Sequence, residues 1–331
     1  MRILQVGLGS MGKRRIRNMQ ALGGHEFMAF DPRADRREEA TRLYGVPTVE
    51  TFEAGMQWQP DSIVISTPPD YHYAFCKAAA EGRKHWFCEA NILSVGAREL
   101  ASLAKRHNIV GAPSCTMRFH PIYQELRGML ADGSGGKPLL LTFHLGQYLP
   151  DWHPWEGLNF YGGRKETGAG REMVPFEFEW MQWLFGRVSD VQATHAAQWR
   201  FPSGVDDVYA IIARFESGLI ASVVIDVVAR EVVREGKLLL KEGSITWDLV
   251  KRTLHSYDGA SKTVRDLDPC GSGFSIETIY MEEMSTFVRA CAGEVLWPHS
   301  YEDDLHLEHV LTASERSQAE GRRVSIAEMA D

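Results

Sequence analysis

The sequence predicts an α/β protein. An N-terminal Rossmann domain, a doubly wound parallel sheet, precedes an α+β domain with a large, open and mostly antiparallel sheet. Three observations predict this. Short apolar strands alternate with helical patterns through residue 115. A glycine-rich turn follows the first strand. Past residue 138 the pattern changes to long neighbouring strands joined by tight turns.

The first strands read as "ILQVG" (3–7), "FMAFD" (27–31), "SIVIST" (62–67), "HWFCE" (85–89) and "IVGAP" (109–113). Helical patterns such as 70–82 and 95–107 lie between them. Strand–helix repetition of that length means parallel strands joined by right-handed crossovers. In the second half, 138–149 forms a long strand, and 208–228 reads as two strands about a Ser217-Gly218 turn. Further strands follow at 235–240 and 244–248, with helices at 172–185, 276–292 and 302–320 over one face. Hairpins of this kind make an antiparallel sheet. A chain of 331 residues is long for one core. The expected division is a cofactor domain over 1–118 and a substrate-binding and oligomerisation domain over 119–331, the boundary falling near "TMRFHPIY".

The net charge of −8 argues against a basic surface for nucleic acid. No apolar window approaches the length needed to cross a bilayer, and the first residues lack a secretory pattern, so a cytoplasmic protein is expected. Cys76, Cys88, Cys115, Cys270 and Cys291 form no C-x-x-C pair, which fits reduced thiols. His306 and His309 share a helix face with no third ligand beside them in the sequence, so no metal site is expected.

"VGLGSMG" supplies Gly7, Gly9 and Gly12 in G-x-G-x-x-G spacing, and Asp31 ends the next strand. After a strand and before a helix, this is the dinucleotide-binding pattern. Gly7 allows the tight turn, Gly9 lets a pyrophosphate approach the backbone, and Gly12 lets the helix pack closely. Ser10 and Met11 open the helix whose N–H groups face the phosphates. The Asp31 carboxylate suits the ribose hydroxyls and repels a 2′-phosphate, which favours NAD over NADP, although Arg33, Arg36 and Arg37 stand close in sequence. Thr67 and Pro68 in "STPPDYHY" fall at the carboxyl edge of the sheet, with His72 on the first turn of the following helix. Glu89 ends the strand expected at the nicotinamide edge.

Taken in order, "VGLGSMG", "STPPDYHYAFCKAAAEGRKHWFCE", "VDDVYAIIARFESGLIASV", "LLLKEGSITWD" and "YMEEMSTFVRACAGE" make a chain that resembles the Gfo/Idh/MocA oxidoreductases, relatives of glucose–fructose oxidoreductase and inositol dehydrogenase. The resemblance runs almost end to end. It implies NAD(P)-dependent chemistry on sugars or cyclitols and a homodimer or homotetramer assembled through the C-terminal sheet. Two departures stand out. Where the family usually has Glu-Lys-Pro, this chain has Glu89-Ala90-Asn91. Where the family carries an aspartate, a histidine four residues on and then another aspartate, alignment on "WLFG" gives Glu172, Phe176 and Glu179.

Oxidising an alcohol still requires a group to take its proton. The densest supply is the loop 146–172, rich in glycine, proline and aromatic residues. His153 is the first candidate because imidazole titrates near neutrality. Glu172, at a helix N-terminus, and Lys165, which replaces the lost cation, complete the catalytic expectation. Trp152 would stack on a sugar ring, with Trp155 beside it, and Arg118, Glu156, Tyr161, Arg171 and Glu177 would address hydroxyl or anionic groups. The leading reading is an NAD-dependent oxidoreductase acting on a sugar, sugar acid, cyclitol or related polyol, with hydride transfer in the cleft between domains. The alternative is a regulatory protein that binds NAD and a sugar on the same scaffold without catalysis.

Overall fold

The computed structural model describes residues 1–331 except 91–94, 134, 155–156, 200, 202–203 and 330–331. The chain divides into two compact units, one of Met1–Thr116 with Ser275–Leu305 and the other of Met117–Phe274 with His306–Asp331.

The first unit holds a six-stranded sheet: β1 (Arg2–Val6), β2 (Glu26–Phe30), β3 (Thr48–Val49), β4 (Ser62–Ile65), β5 (His85–Cys88) and β6 (Gly111–Pro113). The strand order is β3-β2-β1-β4-β5-β6 and every pairing is parallel. The order reverses between β1 and β4, the point at which such sheets bind their ligands. Helices α1 (Ser10–Leu22), α2 (Ala34–Tyr44), α3 (Phe52–Gln57), α4 (His72–Glu81) and α5 (Ala97–His107) supply the crossovers.

Both faces of this sheet are covered, so its strands read as continuous apolar runs. Leu4, Val6, Ile63, Ile65, Trp86 and Cys88 pack into one cluster with α4 and α5 residues. Ile3, Val64 and Phe87 pack on the other face, together with Met284 and Phe287. Those last two belong to a helix far along the chain, which explains why the segment from Ser275 groups with the first unit.

In the second unit α6 (Pro121–Asp132) and α7 (Ala169–Phe185) accompany nine strands. These are β7 (Pro138–Tyr148), β8 (Val188–Ala196), β9 (Val208–Phe215), β10 (Ile220–Asp226), β11 (Val228–Leu240), β12 (Gly243–Asp248), β13 (Thr253–Asp258), β14 (Thr263–Leu267) and β15 (Val324–Ser325). Helix α8 (Ile276–Cys291) belongs to the first unit, and α9 (Tyr301–Glu320) precedes β15. The sheet order is β14-β13-β12-β11-β7-β10-β9-β8-β15. All its pairings are antiparallel except β7 with β10. That exception arises because the hairpin at Ser217-Gly218 returns β10 to the free side of β7, where the two run the same way.

Alternation along β9 buries Tyr209, Ile211, Ala213 and Phe215 and leaves Ala210, Ile212 and Arg214 exposed. One face therefore carries a core, with α7 contributing Phe178 and Met181, and the other stands open. The long β11 contains a register shift between Val228 and Val233, where the ladder is interrupted. Among the described residues no helix is long and apolar enough to cross a membrane.

Candidate active site

The turn after β1 is built around its glycines. Gly7 has a φ of +88°, and a Cβ there would lie 2.3 Å from the Ser66 carbonyl oxygen. A Cβ on Gly12 would meet the Gly7 carbonyl oxygen at 1.9 Å, so only glycine lets α1 sit this close to the strand. Gly9 is different: its Cβ would meet only the Arg36 guanidinium, at 3.6 Å. The need for glycine there is not imposed by protein atoms, and it is what a cradle kept clear for a phosphate requires. Gly9 caps α1 without a side-chain bond, and no acidic residue occupies the first turn, where Ser10 and Met11 lie. That helix end keeps its positive character for an anion.

Asp31 is almost fully enclosed, and its carboxylate is aimed by the turn itself. Leu8 N–H donates to Oδ2 at 2.8 Å and Arg33 N–H to Oδ1 at 2.9 Å. Arg33 also pairs with Asp35, and Arg37 donates to the Asp31 and Pro32 carbonyls. Arg36 lies between Gly9 and the Asp31 carboxylate, with Nη1 3.7 Å from Asp31 Oδ2. On the far side of the turn, His72 is buried with Nε2 2.9 Å from the Thr67 carbonyl oxygen, which fixes the segment Thr67-Pro68. The Thr67 hydroxyl is buried beside Gly7 with no hydrogen-bond partner among the described residues. An open glycine cradle, an aimed carboxylate and an orphaned hydroxyl at the switch point fit a dinucleotide.

Glu89 lies at the end of β5 and is held from the side. Arg15 on α1 donates Nε to Oε1 and Nη2 to Oε2, each at 2.8 Å, and the Ser66 hydroxyl donates to Oε1 at 3.0 Å. Arg15 is wholly buried, and burial alone would lower its pKa. Glu89 and Glu283 outweigh that and hold it above its ordinary value. Neither Arg15 nor Glu283 was singled out by sequence reasoning, because nothing local marks a buried arginine. Asn91 lies outside the described residues.

In the second unit the loop after β7 brings several predicted residues together. Trp152 packs against the cluster of Leu149, Ala169, Phe201, Val205 and Val227, alongside Phe160. The His153 ring lies 4.4 Å from that of Phe160, and Phe160 contacts Tyr161 edge to face. Tyr161 donates its hydroxyl to Glu172 Oε1 at 3.1 Å, in the first turn of α7. Trp152, His153, Phe160, Tyr161 and Glu172 thus form one continuous set.

Other predicted residues are directed elsewhere. Lys165 is exposed. Arg171 pairs with Glu315 of α9 through Nε at 2.5 Å. Arg118 is ion-paired with Glu179. Glu177 is fully enclosed between the Trp180 indole N–H, at 2.8 Å, and Arg234. Burial pushes the Glu177 carboxyl above the usual carboxylate range despite those two donors. Glu156 and Trp155 lie outside the described residues. His120 caps α6 by accepting from Ile122 N–H, and its imidazole is pushed down to about 3 by burial and by Arg234 and Arg252. It is therefore neutral at physiological pH, as an acceptor cap requires.

A further pair, in the second unit, was also missed by sequence reasoning. His195 Nδ1 lies 3.0 Å from Asp206 Oδ2, and the imidazole stacks on Tyr209 with centroids 5.0 Å apart. Asp206 backbone lies against Gly170 at the start of α7. A lone histidine on a strand gives no sequence signal; its carboxylate partner comes from the next loop.

Residues 1–112 match the oxidoreductase family with an NAD-binding Rossmann fold, and residues 123–246 match the GFO/IDH/MocA C-terminal domain. The chain is an NAD-binding oxidoreductase and belongs to the Gfo/Idh/MocA family. Along almost its whole length it is similar to the uncharacterized oxidoreductase YrbE of Bacillus subtilis (strain 168), at 25% identity over 97% of this chain and 95% of that one. Its fold is shared with levoglucosan dehydrogenase solved with NADH and L-sorbose, at a TM-score of 0.89 and 18% identity over the full length of both chains. It is shared too with an oxidoreductase from Agrobacterium radiobacter solved with NAD+, L-tartaric acid and magnesium, at a TM-score of 0.85 and 16% identity over 99% of each chain.

Proposed function

We propose that the chain oxidises a secondary alcohol of a sugar, sugar acid, cyclitol or related polyol, or runs that reaction in reverse. When bound, NAD supplies the hydride acceptor. The protein's part is to hold the substrate hydroxyl and take its proton. His153 is the group assigned to that proton, because a neutral imidazole accepts it near physiological pH. Glu172, oriented by the Tyr161 hydroxyl, is assigned a hydrogen bond to a neighbouring substrate hydroxyl, and Trp152 an apolar ring face. Lys165, Glu156, Arg118, Arg171 and Glu177 keep weaker places in the reading, since most are turned into protein ion pairs.

The observation that carries the reading is the continuous aromatic and polar set from Trp152 to Glu172. The sugar ligand of the levoglucosan dehydrogenase structure supports the substrate class. Functionally, 1–118 is assigned to cofactor binding and 119–331 to substrate binding and assembly. The open sheet face, with Ile212 and Ile220 exposed, is assigned to self-association as a homodimer or homotetramer, in the cytoplasm. The test is a panel of sugars, sugar acids and cyclitols in which NADH absorbance is followed for the parent and for His153→Ala. Turnover of the true substrate that is unchanged in the variant removes His153 from the mechanism.

A further inference from the structure

We propose that Arg15 is the positioning residue of the cofactor site. Its guanidinium fixes the phosphate-binding end of α1 relative to the carboxyl ends of the adjacent strands. The inference rests on NAD binding and is independent of the substrate class.

The argument starts from what one cation touches. Through Nε and Nη2, Arg15 holds both oxygens of Glu89, the residue after β5. Glu89 in turn accepts from Ser66, the residue after β4, whose carbonyl lies against Gly7 after β1. Nη1 lies 2.8 Å from Glu283 Oε2, outside hydrogen-bonding angle, so that contact is an ion pair. Glu283 of α8 accepts from the Ser114 hydroxyl at 2.9 Å, the Cys115 N–H at 2.7 Å and the Thr116 hydroxyl at 2.7 Å, all just after β6. The strands β1, β4, β5 and β6 are successive neighbours in the sheet. Their four carboxyl ends, the edge where such folds bind ligands, are thereby tied to the helix that carries the glycine turn.

Stability alone does not account for this arrangement. Two carboxylates and one guanidinium are taken out of water, and buried ion pairs of this kind are often no more stabilising than apolar residues of similar size. Arg15 also sits with its guanidinium carbon 4.6 Å from the Phe87 ring centroid and 5.2 Å from that of Tyr280. Packing on two rings and a bidentate fork together leave it one orientation, which is the property a positioning group needs. Glu89, with both oxygens so engaged, is a fixed acceptor and not a mobile acid.

Arg15→Lys keeps the charge and loses the fork; Glu89→Gln keeps the shape and weakens the fork from the other side. For each, NADH is titrated by fluorescence and the cofactor-free protein is melted. We expect both variants to melt within a few degrees of the parent and to bind NADH about tenfold more weakly, because the glycine turn is no longer held in one place against the strand ends. Parent-like affinity in the folded variants overturns the proposal and leaves Arg15 a purely structural residue. If Arg15→Lys does not fold, Glu89→Gln, which leaves the Arg15–Glu283 contact in place, decides the matter by the same two results.

Discussion

The turn after β1 and the first turn of α7 both hand the chain to a helix, yet they are built in opposite ways. At the first, backbone does the work: Gly7 and Gly12 stand where a Cβ would strike a carbonyl oxygen, and Leu8 N–H aims Asp31. At the second, the groups of interest are side chains on the loop from Trp152 to Thr167, linked by ring contacts and by one hydroxyl on Glu172. A backbone-built cradle tolerates almost no change in residue type but constrains little of the chemistry. A set built from side chains can be rewritten position by position.

The sharpest way to break that contrast is Gly12→Val. Its Cβ has no room, so α1 must move, and NADH affinity is expected to fall by about a hundredfold or more in a fluorescence titration. Near-parent binding would mean that the turn is not the rigid element described here. On the other side, His153→Ala is expected to lower kcat by about a hundredfold while NADH affinity stays at the parent value.

A third test concerns a buried group of the second unit. His120 has its folded pKa depressed to about 3, below the ordinary value near 6.5. The unfolded chain binds the proton first, so the stability from a neutral His120 is fully present above about pH 6.5. It is lost as the pH falls toward 3. Between pH 7 and pH 5 the loss is about 2 kcal/mol. Urea unfolding at the two pH values should show His120→Asn, which retains a capping side chain, losing less stability than the parent over that interval. Equal losses would exclude His120 as the source. The smallest expected effect is that of Asp31→Ala, about tenfold in NAD affinity by calorimetry with NADP affinity unchanged or improved. A parent whose NADP binding exceeds its NAD binding would reverse the assignment of Asp31.

How much of this was legible follows the same division. The glycine spacing, Asp31 and the parallel strands are stated in consecutive residues, because backbone sterics and strand period are local. The open second sheet was legible from the alternation in "VYAIIARF". The full length of β11 was not, since the register shift between Val228 and Val233 breaks its period. The Arg15–Glu89 pair joins residues 74 apart, and no pattern in "KRRIRN" distinguishes the buried arginine from its less buried basic neighbours. The return of Ser275–Leu305 to the first unit is likewise written only in tertiary contacts, such as Asn18 and Arg14 with Glu277. The link from Tyr161 to Glu172 was within reach because it is short-range. The pairing of Glu177 with Arg234 spans a helix and several strands and could not be read from spacing.

The proposal as a whole meets its most direct test in the substrate panel followed by NADH absorbance. NADH should accumulate with at least one sugar, sugar acid or cyclitol, and His153→Ala should suppress it while still binding NAD. A protein that binds NAD and a sugar tightly but forms no NADH with any member of the panel would contradict the account.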